Sequence, residues 1–347
     1  METCEYSTRL GRISPAQFQA ALGRFNLGQL VSATPIPFGL FGQNVFVRST
    51  TGEYVLRGCP HYAWQLPTEQ FFAHLLHKRT DVPVPWPYLI DPSEEIFGWR
   101  WGYALMPRMP GLQLADPAVH DALDADDKRG IAHALGKNLR RMQCLTWTVA
   151  GEYAPESGAV RPFDTAYGSW IAARIRRNLA LARGYSARTT ASDAAWVESL
   201  IVAAEPTFDE PYQPRYVMED YKEANVVVQK VGGTWRVSGV FDLMSSHFGD
   251  GEADLSRQVA AYLDEDPARA ETFIHAYTQR WPLRPGYAER LQLYMLDDRL
   301  SIWEYFQRPA HAASWREAGT LRDWAERYTS YAAFSGARAY QQRTGDR

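Results

Sequence analysis

Lysine is scarce in this 347-residue chain, standing only at 78, 128, 137, 222 and 230; the rest of its 37 basic residues are arginine. A role that needs a cation before position 78 therefore falls to arginine. Cysteine is scarce too. Cys4, Cys59 and Cys144 are odd in number and far apart, which excludes both a disulfide framework and a zinc spacing. No apolar run approaches the ~18 residues of a membrane-spanning helix, so no membrane partner is expected. Basic residues do not outnumber the 40 acidic ones, and the formal net charge is −3, which excludes bulk binding of nucleic acid. The opening METCEYSTRLGRISP lacks the apolar core of a secretion signal, so the cytoplasm is the expected compartment.

Hydrophobic residues make up 46% of the chain and charged ones 22%, too apolar a balance for disorder. The length suggests two lobes. Ser14-Pro15 reads as the N-cap and first residue of a helix running to about Phe25. NVFVRST and EYVLRG flank Thr51-Gly52 and predict an antiparallel hairpin. PTEQFFAHLLHKRT carries Phe71, Phe72, Leu75 and Leu76 at helical spacing. A Pro-rich stretch follows, then a strand pair ending in WRWGYALM. From about Asp124 the pattern turns helical: Ile131, Leu135 and Met142 mark one helix, Trp196 and Leu200 another, and two more fill 286–335. One strand island interrupts this half, a hairpin around Gly232-Gly233. The expected fold is α+β, with a small β-rich lobe over 1–108 and a large helical lobe over 109–347.

The chemistry gathers at that late hairpin. RYVMEDYKEANVVV precedes it, with Asp220 and Asn225 in a D-x-x-x-x-N spacing, and Asp242 of VFDL follows it. Phosphoryl transfer uses these parts: a carboxylate that accepts the proton of the attacking hydroxyl, and an amide oxygen and a second carboxylate that hold magnesium against nucleotide phosphates. Hard oxygen ligands suit magnesium. The hairpin brings both of its ends together in space.

The arrangement resembles the aminoglycoside phosphotransferase family, whose catalytic loop reads H-G-D-x-x-x-x-N before a hairpin and an I-D-W/F segment. The resemblance covers about residues 30–330. It implies a bilobal protein-kinase-like fold, Asp220 as catalytic base, and Asn225 and Asp242 as magnesium ligands. GDGEADLSR is similar to the family's G-D-P-x-x-D-L-A and implies that Asp254 braces the catalytic loop. The Tyr167–Trp170 segment and YMLDDRLSIWEYF resemble the hygromycin-modifying branch. The family's His and Gly are Met218 and Glu219 here; Glu219 either repels Asp220 or points away from it. Lys222, two residues beyond Asp220, is placed to offset phosphoryl charge.

The first lobe then binds ATP or GTP. In PIPFGLFGQNVFV, Gly39 and Gly42 allow close approach of backbone amides to phosphate, and Asn44 fits a G-x-x-N pattern. Kinases pair a basic residue on the next strand with a helix glutamate. With no lysine available, Arg57 is the cation and Glu69 its partner. YALMPRMPG resembles the hinge between lobes, with Met106 and Arg108 beside the base. The acceptor is expected to be a small hydroxylated molecule, an antibiotic of the aminoglycoside or nucleoside/sugar type. Carboxylates at 264–266, 297, 298 and 304 would draw an amino sugar, and Tyr167, Trp170, Trp303 and Tyr305 would stack on it. A protein kinase is disfavoured, because no A-P-E-like anchor or long activation loop follows Asp242. A non-catalytic nucleotide- or partner-binding protein is the alternative.

Overall fold

The computed structural model describes residues 2–36, 42–279, 283–315, 317 and 319–332. In chain order the elements are β1 (Cys4–Ser7), β2 (Gly11–Ile13), α1 (Pro15–Arg24), β3 (Leu30–Pro35), β4 (Asn44–Ser49), β5 (Glu53–Gly58), α2 (Gln65–Arg79), β6 (Leu89–Asp91), β7 (Tyr103–Pro107), β8 (Leu112–Gln113), α3 (Pro117–Ala122) and α4 (Ala125–Met142). There follow β9 (Gly151–Ala154), β10 (Ala159–Pro162), α5 (Tyr167–Tyr185), α6 (Ala191–Ala204), β11 (Arg215–Val217), β12 (Val226–Val231), β13 (Thr234–Val240), β14 (His247–Gly249), α7 (Leu255–Glu265), α8 (Pro267–Thr278) and α9 (Tyr287–Gln307); residues 321–332 are also helical.

Contacts gather the chain into two compact units: 1–145 with 153–160 and 222–246, and 146–152 with 161–221 and 247–347. Residues 109–145 and the late hairpin thus group with the first unit. The reason lies in α4, which packs on β13: Asp127 accepts hydrogen bonds from Lys230 Nζ at 2.6 Å and from Trp235 Nε1 at 2.9 Å. That contact carries the late hairpin into the first unit.

The first unit is built on a five-stranded antiparallel sheet in the order β3-β4-β5-β7-β6. The hairpin at Thr51-Gly52 forms in the expected register, with Asn44 opposite Arg57 and Arg48 opposite Glu53. α1 opens with a capping box: Ser14 and Gln17 satisfy each other's backbone N–H, and Pro15 occupies the first turn, where its missing donor costs nothing. Phe18, Ala21 and Leu22 of α1 pack with Val45, Val47, Leu56 and Leu105 of the sheet in one apolar core. WRWGYALM is extended only from Tyr103. Before it Trp101 and Gly102 take positive φ, because the chain turns to bring Gly102 against the carbonyl of Asp91.

In the second unit α9 packs against α5, α6 and α7, and Leu291, Met295, Leu296, Leu300 and Trp303 are buried along it. The helical half holds more strand than expected. Short β11 and β14 pair antiparallel, with Val217 opposite His247 and Arg215 opposite Gly249. Three-residue strands leave almost no alternation to read. Among the described residues, no helix is long and apolar enough to cross a membrane.

The Gly102 turn gives a sharp test. A Cβ there would lie 1.9 Å from the Asp91 carbonyl oxygen at φ +72°, whereas at Gly233 (φ +78°) nothing lies within 4 Å. Gly102→Ala should cost more than about 2 kcal/mol and Gly233→Ala only about 1 kcal/mol. Urea unfolding of both variants checks the order.

Candidate active site

In the first unit, Arg57 on β5 is the centre of charge. It is only 7% exposed. Its Nη2 lies 2.9 Å from Glu69 Oε1 on α2 and donates to Asp242 Oδ1 at 2.7 Å. Glu69, 2% exposed, also accepts from the Tyr88 hydroxyl at 2.7 Å. Burial pushes the Glu69 carboxyl up to about 7, more than the attraction of Arg57 lowers it. The same two carboxylates hold the Arg57 guanidinium charged despite its burial.

Asp242 sits just beyond β13 with φ +68°. A non-glycine residue pays for that left-handed conformation, and the Arg57 bond helps to hold it. Val226 pairs with Val240, and the Phe241 amide donates to the Asn225 carbonyl at 3.1 Å. Gly232 and Gly233, both at positive φ, close the far end of this hairpin. The register thus brings buried Asn225 and half-buried Asp242 to one end of one hairpin.

Of the expected nucleotide loop, Gly39 lies outside the described residues. Gly42 has φ +55°, and its carbonyl accepts from the Ser7 hydroxyl at 2.5 Å. Asn44 opens β4, half-buried. Met106 is buried in β7 opposite Val55. Arg108 stacks over the Phe46 ring at 4.0 Å and pairs with exposed Glu53 at 3.4 Å.

In the second unit, β11 leads through Met218 and Glu219 to Asp220. Asp254, 1% exposed, accepts from the amides of Met218 at 2.8 Å and Glu219 at 2.7 Å. Burial raises its carboxyl to about 6 against those two bonds. Met218 is fully buried. Glu219 has φ +70°, the left-handed region that favours glycine. Its carboxylate pairs with Arg174 Nη1 at 2.9 Å and with His247 Nδ1 at 3.4 Å. Burial opposes its charge, but Arg174 and the His247 ring outweigh burial and hold it down at about 2. Asp220 itself lies 3.3 Å from Nε of Arg257, which also meets Asp298 at 2.8 Å.

Pattern reading did not single out Arg174, His247 or Arg257. They lie on α5, β14 and α7, outside the catalytic loop, and only the fold assembles them. The expected acidic lining is largely spent on arginine: Asp297 on Arg174, Asp298 on Arg257 and Arg299, Glu304 on Arg308, and Asp264 on Arg327. Asp266 caps α8. Trp303 is core, donating to Thr189, and Tyr305 stacks on His311. Tyr167 is buried and hydrogen-bonds the His247 ring at 3.0 Å, while half-buried Trp170 lies under Arg174.

Residues 32–292 match the model of the phosphotransferase enzyme family. The chain belongs to that family. It is 29% identical over 136 residues to a homoserine kinase of Burkholderia mallei, a match that covers 38% of this chain. The chain spans about 40% of the length of the curated relatives it matches. Among solved structures it is similar to a thermostable mutant of aminoglycoside phosphotransferase APH(4)-Ia bound to ADP and hygromycin B, at 16% identity and a TM-score of 0.62, covering 92% of this chain and 98% of that one. The GDP complex of aminoglycoside 2'-phosphotransferase-IIIa has 14% identity and a TM-score of 0.61, covering 96% and 100%. These likenesses show an α+β kinase-like fold, as the motif resemblance implies.

The depressed Glu219 carboxyl fixes the sign of a pH effect. A carboxylate whose folded value lies below its ordinary one contributes stability that is present above about 4.5 and lost as pH falls toward about 2. Denaturant titrations at stepped pH should show Glu219→Gln less stable than wild type near neutrality. The gap should close as pH falls through that window. A constant gap would remove Glu219 from the charge network.

Proposed function

We propose that the protein is a small-molecule kinase that transfers the γ-phosphoryl group of ATP or GTP to an alcohol. The observation that carries this reading is the convergence of Arg57, Glu69 and Asp242, drawn from β5, α2 and the end of β13, on one buried ion-pair centre. A guanidinium buried for structure alone is an expensive choice. One that must meet nucleotide phosphates has a reason to be there.

In the proposed reaction the acceptor hydroxyl oxygen attacks the γ-phosphorus. The new O–P bond forms as the bond to the β-phosphate oxygen breaks, and ADP or GDP leaves. The hydroxyl proton passes to Asp220. Arg57 neutralises charge on the donor phosphates. Asp254 fixes the loop carrying Asp220 through the amides of Met218 and Glu219. Gly39, Gly42 and Asn44 are proposed to line the phosphate loop, and Met106 and Arg108 to stand at the base. The Asn225 amide oxygen and the Asp242 carboxylate are hard oxygen donors at one end of one hairpin, the donor chemistry that magnesium takes. When bound there, magnesium would neutralise charge on the phosphate oxygens.

Two classes of acceptor are supported. Likeness in fold to the hygromycin B complex favours an antibiotic, whose phosphorylation would confer resistance. Likeness in sequence to homoserine kinase favours a hydroxylated amino acid.

Asp220→Ala should lower turnover by about 10²–10⁴-fold, the usual worth of a general base, with nucleotide binding retained. Asp242→Asn should abolish the magnesium-dependent rise in melting temperature that nucleotide produces. Coupled assays of ADP or GDP release, with thermal shifts in Mg-ATP and Mg-GTP, test both. Wild-type turnover in Asp220→Ala would remove it as the base. Absence of any nucleotide-dependent shift would favour the non-catalytic alternative.

A further inference from the structure

Arg257 differs from the other arginines of its neighbourhood. Arg174 spends Nε and Nη2 on Asp297 and Nη1 on Glu219. Arg299 spends Nε and Nη2 on Asp298. Arg257 brings Nε to 3.3 Å from Asp220 and 2.8 Å from Asp298 without hydrogen-bond geometry to either. Among the described residues neither of its terminal nitrogens, Nη1 or Nη2, makes a hydrogen bond, and neither is sealed from solvent. The side chain is only 21% exposed, so these two donors open at the surface of a largely packed group. A guanidinium edge carrying two parallel N–H donors matches a carboxylate in planar geometry.

The surrounding charge points the same way. Of the carboxylates near Asp220, Glu219, Asp297 and Asp298 are each engaged by arginine. The proposed reaction reserves Asp220 for the hydroxyl proton. A polycationic amino sugar would find little uncompensated negative charge here. An acceptor bearing one negative charge would find an open guanidinium edge beside the group that takes its proton. A phosphate monoester would bring nearly two charges to a single guanidinium, which makes it a poorer match.

We propose that Arg257 is a specificity-determining residue that reads a carboxylate on the acceptor, so that the preferred acceptor is a hydroxylated carboxylic acid rather than a cationic amino sugar. The inference rests on the kinase reading above, and on Asp220 as the base.

The test uses matched acceptors: L-homoserine, D-glycerate and 4-hydroxybutyrate, each beside its carboxamide, with hygromycin B as the cationic arm. The readout is the acid-to-amide ratio of kcat/KM, because Arg257 also touches Asp220 and its loss affects turnover generally. Wild type should prefer at least one acid over its amide by about 100-fold, as expected for a desolvated charge pair. In Arg257→Gln that ratio should fall to within about threefold of unity, and Arg257→Lys, which keeps charge and guards against a folding defect, should fall between. Equal use of acid and amide by wild type, preference for hygromycin B, or an equal loss on both members of a pair in Arg257→Gln would overturn the proposal. The last result would instead put Arg257 on the transferred phosphoryl group. If no acceptor turns over, calorimetric binding of the same panel decides. Acids that bind wild type but not Arg257→Gln would uphold the carboxylate site while the kinase reading fails, and no binding of acids would overturn the site.

Discussion

A guanidinium leaves water only at a cost of several kcal/mol unless carboxylates meet it with good geometry. Arg57 is such a group, and the first unit is arranged around it. Asn44 and Ala104 lie opposite it on the flanking strands, so the central sheet sets its position. α2 supplies Glu69, and Tyr88, just before β6, fixes that carboxylate in turn. The late hairpin contributes Asp242. Remove Arg57, and two carboxylates are left facing each other without a counter-charge. The scarcity of lysine acquires a physical meaning here. Arginine stays charged under burial where lysine readily gives up its proton, and its Nη2 meets Glu69 and Asp242 together.

The second unit solves a different problem, that of holding a loop in a conformation most side chains avoid. Glu219 sits at positive φ without the freedom of glycine. Asp254 takes its amide, and Arg174 and His247 take its carboxylate. Backbone and side chain are tied at once, so the strain is held by bonds on both sides of the residue. Met218 thus fills the core, and Glu219 enters a partly buried ion pair. Asp220 is left beside Arg257 rather than beside an unpaired acid.

Local signals carried much of this architecture. The Thr51-Gly52 and Gly232-Gly233 turns, the Ser14-Pro15 start and the apolar stripes of α2 and α4 are statements about neighbouring residues, and each appears where the pattern puts it. The Arg57–Glu69 pair was legible because absence of lysine left one cation on that strand. What escaped was non-local or very short. β11 and β14 have three residues each, too few for a period, and exist because each pairs with the other. Arg174, His247 and Arg257 bear on the catalytic loop only after α5, β14 and α7 have packed. The acidic residues misled in part for the same reason: Arg174, Arg257 and Arg327 reach Asp297, Asp298 and Asp264 from other helices, whereas Arg299 and Arg308 are sequence neighbours of the acids they meet.

The most direct test of the account is the affinity for Mg-ATP and Mg-GTP, by calorimetry, of wild type, Arg57→Lys and Arg57→Met. If Arg57 is the cation that meets the nucleotide phosphates, Arg57→Met should bind at least about tenfold more weakly, the worth of one charged hydrogen bond, while Arg57→Lys keeps most of the affinity. Wild-type affinity in a folded Arg57→Met would contradict the account, reducing the buried triad to a structural ion pair.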